Sequence, residues 1–228
     1  MIRWDAPGPY VVAFTTRAGG VSEGPFASLN LGGKEDRPEA IAENRRLACE
    51  ELGLDSSRLA FNRQRHTAGV HRARSGLQES EGDALWTDET ELPLLAMSAD
   101  CLPIAIAAAD GRPALAVVHA GWRGLAAGVV ETTVAALGAG ATAAVIGPAI
   151  GPCCYEVGPE VSALFDADLT HDGILDLWEA AERALRRTGV AHVDRLDLCT
   201  RCNPESFFSH RRDGARRGVQ GVIGAVAG

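Results

Sequence analysis

Two stretches of the chain, residues 92–109 and 113–119, are apolar on successive positions, not at alternate or helical spacing. Both are rich in Ile, Val, Leu and Ala and are bounded or interrupted by proline, which makes long helices a poor solution. Such runs suit strands buried on both faces, so a central sheet must be covered from two sides. That requirement points to an α/β domain.

The rest of the chain supplies the covering elements. Residues 38–52 carry Ile41, Leu47, Ala48 and Leu52 at helical spacing behind Pro38, which suits a first helical turn. After His119 the chain turns through AGWRG and continues as LAAGVVETTVAALGA, a second expected helix closed by Gly138. Residues 159–165 and 175–188 read as further helices, the last with Arg186 and Arg187 where the dipole favours cations. Strands are expected over the PYVVAF segment and over residues 143–147 and 193–198, with short extended pieces at 60–61, 69–71 and 84–87. Residues 205–210 open a basic tail. No repeat or linker divides the chain, so residues 1–228 read as one domain.

With 22 Lys+Arg against 30 Asp+Glu, the net charge of -8 opposes attraction to phosphate backbones or anionic lipid. Nucleic acid and membrane partners are therefore not expected. Lys34 is the only lysine, an Arg-for-Lys skew that a GC-rich genome explains better than a binding surface does. The N-terminus lacks the pattern of a signal peptide and no apolar run is long enough to span a bilayer, which suggests a cytoplasmic protein. In that setting the six cysteines are free thiols or metal ligands sooner than a disulfide framework.

Soft ligands stand where strands end: His66 in RQRHTAG, Cys101 in SADCLP and His119 in VVHAGWRG. Converging in space, they would form a Cys-His-His set with an open fourth position, the form a catalytic zinc takes. The spacing equally allows a structural cysteine and two hydrogen-bonded histidines. His71, five residues beyond His66, is the weaker ligand. Cys199 and Cys202 in CTRC have a familiar metal or redox spacing, but no second pair accompanies them, and a zinc there would have to recruit Cys153 and Cys154. The plain reading of those four is as unliganded thiols. Asp100 beside Cys101 needs a polar cleft or a balancing cation, for which Arg45, Arg46 and Arg123 are available. The turn-rich GPAIGPCCYEVGPE could cradle an anion through backbone N–H groups or simply cross the edge of the core.

Read in order, TTRAGGVSEGPFASLNLG, AENRR, SADCLPIAI, VVHAGWRG, IGPAIGPCCYEVGPEV and FFSHRRDG resemble the laccase-domain family of zinc-dependent purine nucleoside phosphorylases, long labelled polyphenol oxidases. The likeness runs nearly end to end. It implies a single α/β domain with a central β-sandwich-like core flanked by helices, similar to the catalytic domain of cytotoxic necrotizing factor toxins. It implies zinc on His66, Cys101 and His119, further catalytic positions at Asn30, Arg45 and Asp100, and a substrate-binding Arg17. The implied activity is phosphorolysis of adenosine, inosine, guanosine and methylthioadenosine, with hydrolytic deamination of adenosine beside it. The chain departs from the family at Thr67, where glycine is usual, and in the tail RRDGARRG, where a TGR form is usual. A multicopper oxidase is disfavoured because the six histidines are scattered, no two within two residues of each other. The alternative is a metal-free Cys-His hydrolase or deamidase with Cys101 as nucleophile and His119 as base.

Overall fold

The computed structural model describes residues 1–108, 111–138 and 141–228. In chain order the strands are β1 Ile2–Trp4, β2 Tyr10–Phe14, β3 Ala60–Arg63, β4 Val70–Arg72, β5 Leu77–Glu81, β6 Ala84–Thr87 and β7 Leu94–Ser98. They continue with β8 Leu102–Ala108, β9 Ala114–Ala120, β10 Ala141–Ile146, β11 Thr170–His171, β12 Ile174–Leu175, β13 His192–Arg195 and β14 Gln220–Val226. The helices are α1 Pro38–Glu51, α2 Trp122–Ala126, α3 Val129–Leu137, α4 Pro159–Ser162, α5 Leu177–Arg187 and α6 His210–Asp213.

Two six-stranded sheets form, ordered β1-β2-β14-β7-β3-β5 and β13-β10-β8-β9-β6-β4. Their facing sides share one core, in which Val12, Phe14, Leu94, Ala96 and Val222 meet Ala105, Ala107, Leu115, Val117 and Val145. The outer side of the second sheet is covered by α3 and α5, whose Val129, Val130, Ala181 and Ala184 pack on Ile104, Ile106 and Val118. The outer side of the first is covered by α1, with Ala48 and Cys49 against Ala13, Leu95 and Ile223. This is the helix-flanked sandwich, and it explains the unbroken apolar runs. Ile104 and Ile106 face helices while Ala105 and Ala107 face the other sheet, so neither set of side chains reaches water. Each isoleucine contributes about 1.5–3 kcal/mol by that burial.

The first long run is two strands in different sheets. β7 pairs with β14 and β3, the chain turns a corner through Ala99, Asp100 and Cys101, and β8 then pairs with β9 and β10. Asp100 makes the corner with φ 93, a left-handed conformation uncommon outside glycine. The last residue of the run, Ala109, lies outside the described residues, as does Ala139 at the end of the expected second helix. That helix is two pieces, α2 and α3, broken at Gly128 with φ 84.

The tail holds the largest departure. Beyond the basic stretch the chain enters β14, which is fully buried and central to the first sheet. Its three-residue glycine spacing obscures it in the sequence. A Cβ on Gly221 would lie 2.3 Å from the Ala96 carbonyl oxygen, and one on Gly224 would lie 2.7 Å from Leu115 in the opposing sheet. These glycines serve close backbone and sheet approach, not flexibility.

Candidate metal centre

The corner between β7 and β8, the end of β9 and the loop after β3 converge. They bring Cys101, His119 and His66 together, with one ligand atom from each lying within 4.8 Å of the others. Cys101 Sγ is 3.7 Å from His66 Nε2, and the two imidazoles meet edge to face with centroids 4.8 Å apart. Among the described residues, no fourth His, Cys or carboxylate joins this group.

Asp83, which sequence reasoning missed, builds the group from behind. It is 1% exposed and accepts from the backbone N–H groups of Arg65, His66 and Thr67, from the Thr67 hydroxyl, and from His119 Nδ1 at 2.8 Å. Burial alone would raise its pKa, but His119 and these N–H donors hold the carboxyl well below the usual carboxylate range. With Nδ1 committed to Asp83, His119 has Nε2 left for a metal, the arrangement by which a carboxylate orients a ligating imidazole. The same hydrogen bonds hold the loop at His66, whose φ is 61. Thr67 is integral to this cage, since its hydroxyl supplies a donor that glycine would lack. Gln64 of the Q-x-H motif pins the loop from the other side, donating to the Met97 carbonyl at 2.6 Å and accepting the Met97 N–H at 2.8 Å. Asp83 carried no signal in the sequence beyond being an acid flanked by short extended pieces. His71 is not part of the group; its Nε2 lies 3.2 Å from the Glu81 carbonyl oxygen.

The donor set fits one soft divalent ion. Burial would raise the Cys101 thiol, yet His119 and His66 bring it down to about 6; His119, lowered by burial, is raised to about 9 by Cys101 and Asp83. The chain thus readily supplies the thiolate that ligation requires. Gly121 leaves the space open: a Cβ there would lie 2.8 Å from both Cys101 Sγ and His66 Cδ2. Its φ of -76 suits alanine, so the constraint is purely steric. Gly121→Ala is expected to fold normally and to lower metal affinity by at least about tenfold, as measured by competition with a chromogenic chelator.

Asp100 sits beside the group with both oxygens used. Oδ1 accepts from the Thr200 hydroxyl and Oδ2 from the Arg211 N–H, each at 2.6 Å. Among the described residues no arginine side chain forms an ion pair with it, but Arg217 feels the charge of both Asp100 and Cys101. The Arg217 Nε is buried without a hydrogen-bond partner, and burial lowers the group's pKa. The sequence singled out neither Arg217 nor Tyr155. Tyr155 is pushed up to about 12 by burial and the nearby Cys101 charge, and it packs under the Arg211 guanidinium.

Of the remaining expected residues, Arg45 lies on α1, and Asn30 and Arg17 lie in loops. Arg45 is half-buried, donates from Nε to the Leu31 carbonyl, stacks 4.0 Å from the Phe61 centroid and is lowered to about 10 by burial. Asn30 is fully buried; its Oδ1 accepts from Gly32 and Val219 N–H, and its amide donates to Asp36. Arg17 stitches two loops, donating to the carbonyls of Ala27 and Pro204 and lying 4.7 Å from the Phe208 centroid. A surface cavity lined by Arg58, Asp88, Glu89 and Arg112 contains none of these groups, and its arginines are paired with its acids.

A helix-flanked double sheet with a thiolate and two imidazoles at the corner of its central strands defines a laccase-domain protein. The chain belongs to that family: residues 11–226 match the model described as multi-copper polyphenol oxidoreductase laccase. Among its relatives, a purine nucleoside phosphorylase of Xylella fastidiosa is 41% identical over 92% of this chain and 90% of its own length. One of Haemophilus influenzae is 33% identical over 96% of each. The crystal structure of Neisseria meningitidis protein NMB0706 superposes with a TM-score of 0.88 at 33% identity, covering 100% of this chain and 99% of its own. YlmD from Geobacillus stearothermophilus superposes at 0.87 with 31% identity, over 97% and 93%. The multi-copper description does not suit the ligands here. Among the described residues, only His66 and His119 contribute imidazoles to a ligand group, whereas multicopper chemistry needs many.

Proposed function

We propose that this chain is a zinc-dependent purine nucleoside phosphorylase, with His66, Cys101 and His119 holding the ion. The observation that carries this reading is the three-ligand group itself, backed by Asp83 and left open by Gly121. The relatives, named as purine nucleoside phosphorylases, supply the reaction. When bound, zinc supplies Lewis acidity toward an oxygen of a reactant.

Phosphorolysis forms a bond from a phosphate oxygen to the ribose anomeric carbon and breaks the bond to the purine nitrogen, whose electron pair then takes a proton. The chain must hold a dianion next to a sugar and stabilise the leaving base. Arg217 suits the first task, being a half-buried cation with an unsatisfied N–H beside Asp100 and Cys101. Arg45 is the second cation for phosphate, its guanidinium committed to no carboxylate among the described residues. Asp100, held by Thr200 and Arg211, positions the nucleoside or handles the proton. Asn30 and Arg17 act as positioning residues, since their polar atoms brace the loops around the site. Adenosine, inosine, guanosine and methylthioadenosine are the proposed substrates, with adenosine deamination as a side activity.

Zinc-replete protein incubated with adenosine and phosphate should release adenine and ribose 1-phosphate, and inosine should mark the deamination. The absence of both products would sink the reading. Arg217→Ala should raise the KM for phosphate by about tenfold or more, the loss of a charge-assisted hydrogen bond, with metal content unchanged.

A second reading rests on the Asp83, His119 and Cys101 chain. A thiol brought down beside a raised imidazole is also how a cysteine nucleophile is activated. A hydrolase of that kind works in the presence of a strong chelator, whereas the phosphorylase would stop.

A further inference from the structure

We infer that this chain carries a second metal site, a closed tetrathiolate formed by Cys153, Cys154, Cys199 and Cys202 that takes one structural zinc ion. The inference is independent of the proposed activity.

The four cysteines come from two segments remote in sequence. Cys153 and Cys154 occupy the turn after Gly151, and Cys199 and Cys202 flank the turn that follows β13. The segments are laid side by side by an isolated parallel bridge between Ala149 and Cys199, by Ala149 N–H to the Leu198 carbonyl, and by Thr200 N–H to the Ala149 carbonyl. One sulfur from each cysteine then lies within 4.8 Å of the others. CTRC alone therefore understated the site, because its partners are supplied by the CC dipeptide of IGPCCYEVG only after folding.

The spacing is that of a site for an ion. With zinc–sulfur bonds of about 2.3 Å, the sulfurs of a tetrahedral site stand about 3.8 Å apart. Cys202 Sγ lies 3.6 Å from Cys153 Sγ and 3.3 Å from Cys154 Sγ, so the set needs only a small expansion. A disulfide joins two sulfurs and could serve just one of the neighbours that crowd Cys202; an ion serves all four. Cys199 is buried and receives the Gly151 N–H at 3.3 Å, with the Cys202 N–H as a further donor. A ligating sulfur can accept such N–H groups, and soft sulfur ligands select zinc over hard cations. All four positions are filled by protein, the mark of a structural zinc and not a catalytic one.

The position gives the ion a task. Thr200 lies inside the C-x-x-C and donates to Asp100, while Ile150, just ahead of the CC turn, donates its N–H to the Asp100 carbonyl. Clamping the two turns would hold the left-handed corner next to Cys101.

The test is zinc stoichiometry by elemental analysis on full-length protein purified under reducing conditions with zinc. Wild type should hold two zinc ions per chain, Cys202→Ser one, and His66→Ala/Cys101→Ala one. In cobalt-loaded protein, the intense thiolate-to-metal absorption of a tetrathiolate should persist in the His66→Ala/Cys101→Ala variant and fall to the weak band of the single Cys101 thiolate in a Cys199→Ser/Cys202→Ser variant. If the serine variants fail to fold, alkylation of the wild type decides. Cys153 and Cys202 are exposed, yet should resist iodoacetamide until zinc is removed. One zinc per chain that Cys202→Ser leaves in place would overturn the inference. So would free alkylation of zinc-loaded protein, or a Cys154–Cys202 disulfide in it. Loss of phosphorolysis with two zinc ions retained would count against the proposed activity alone.

Discussion

Cys101→Ala is expected to lose one equivalent of zinc and to lower nucleoside phosphorolysis by a factor on the order of 1000 or more. Cys101 is the only anionic ligand of the three, so its loss leaves an exposed His66 and a buried His119 to hold a dication between them. Two neutral imidazoles bind far more weakly than two imidazoles and a thiolate. His119→Ala should behave alike, with an added cost because it strands the buried Asp83. Neither change should disturb the sheets, since the three ligands stand at the corner of the sandwich and outside its core. Metal analysis, steady-state rates and melting curves on the same preparations separate these effects. Either variant keeping its full zinc content and turnover would end the assignment.

Asp83→Asn is the more damaging change for the fold itself. The carboxylate accepts from three backbone amides, a hydroxyl and an imidazole, and an asparagine amide would present one oxygen and two unwanted hydrogens to the same donors. Breaking so buried a pair costs about 3–5 kcal/mol, which for a chain of this size lowers the melting temperature by roughly 10 °C. Metal affinity should fall about 10–100-fold with the loss of His119 orientation. The sign with pH follows from the lowered pKa of Asp83. Its contribution is fully present above the unfolded carboxylate value of about 4 and is lost as pH falls toward the lower folded value. The difference in stability between wild type and Asp83→Asn, measured by denaturant unfolding, should therefore be constant between about pH 5 and 6, below the range in which His119 titrates, and shrink in acid. A gap unchanged down to the most acidic pH at which both fold would show that the charge contributes nothing.

Much of this architecture could be read locally. Pro38 and the spacing of Ile41, Ala48 and Leu52 placed α1, and the unbroken apolar character of β8 and β9 announced strands covered on both sides. β14 could not be read, because Gly221 and Gly224 look like turn residues until another backbone and another sheet are seen against them. The corner at Asp100 was hidden inside one apolar run, because the two sheets it joins demand the same kind of residue.

The functional groups divide the same way. Residue chemistry along the chain named His66, Cys101 and His119 as soft ligands, and the motifs around them named the family. Which of them meet, and what holds them, depends on contacts between residues 17 to 53 positions apart, such as Asp83 on His119 and on the His66 loop. The CC and CTRC pairs, more than 40 residues apart, became one cluster only through the bridge at Ala149. Local pattern determined the strands, helices and ligand types because burial period and donor chemistry are properties of neighbouring residues. Convergence was decided by the tertiary structure alone, because packing one sheet on the other sets the distances between distant ligands, and no spacing along the chain encodes them.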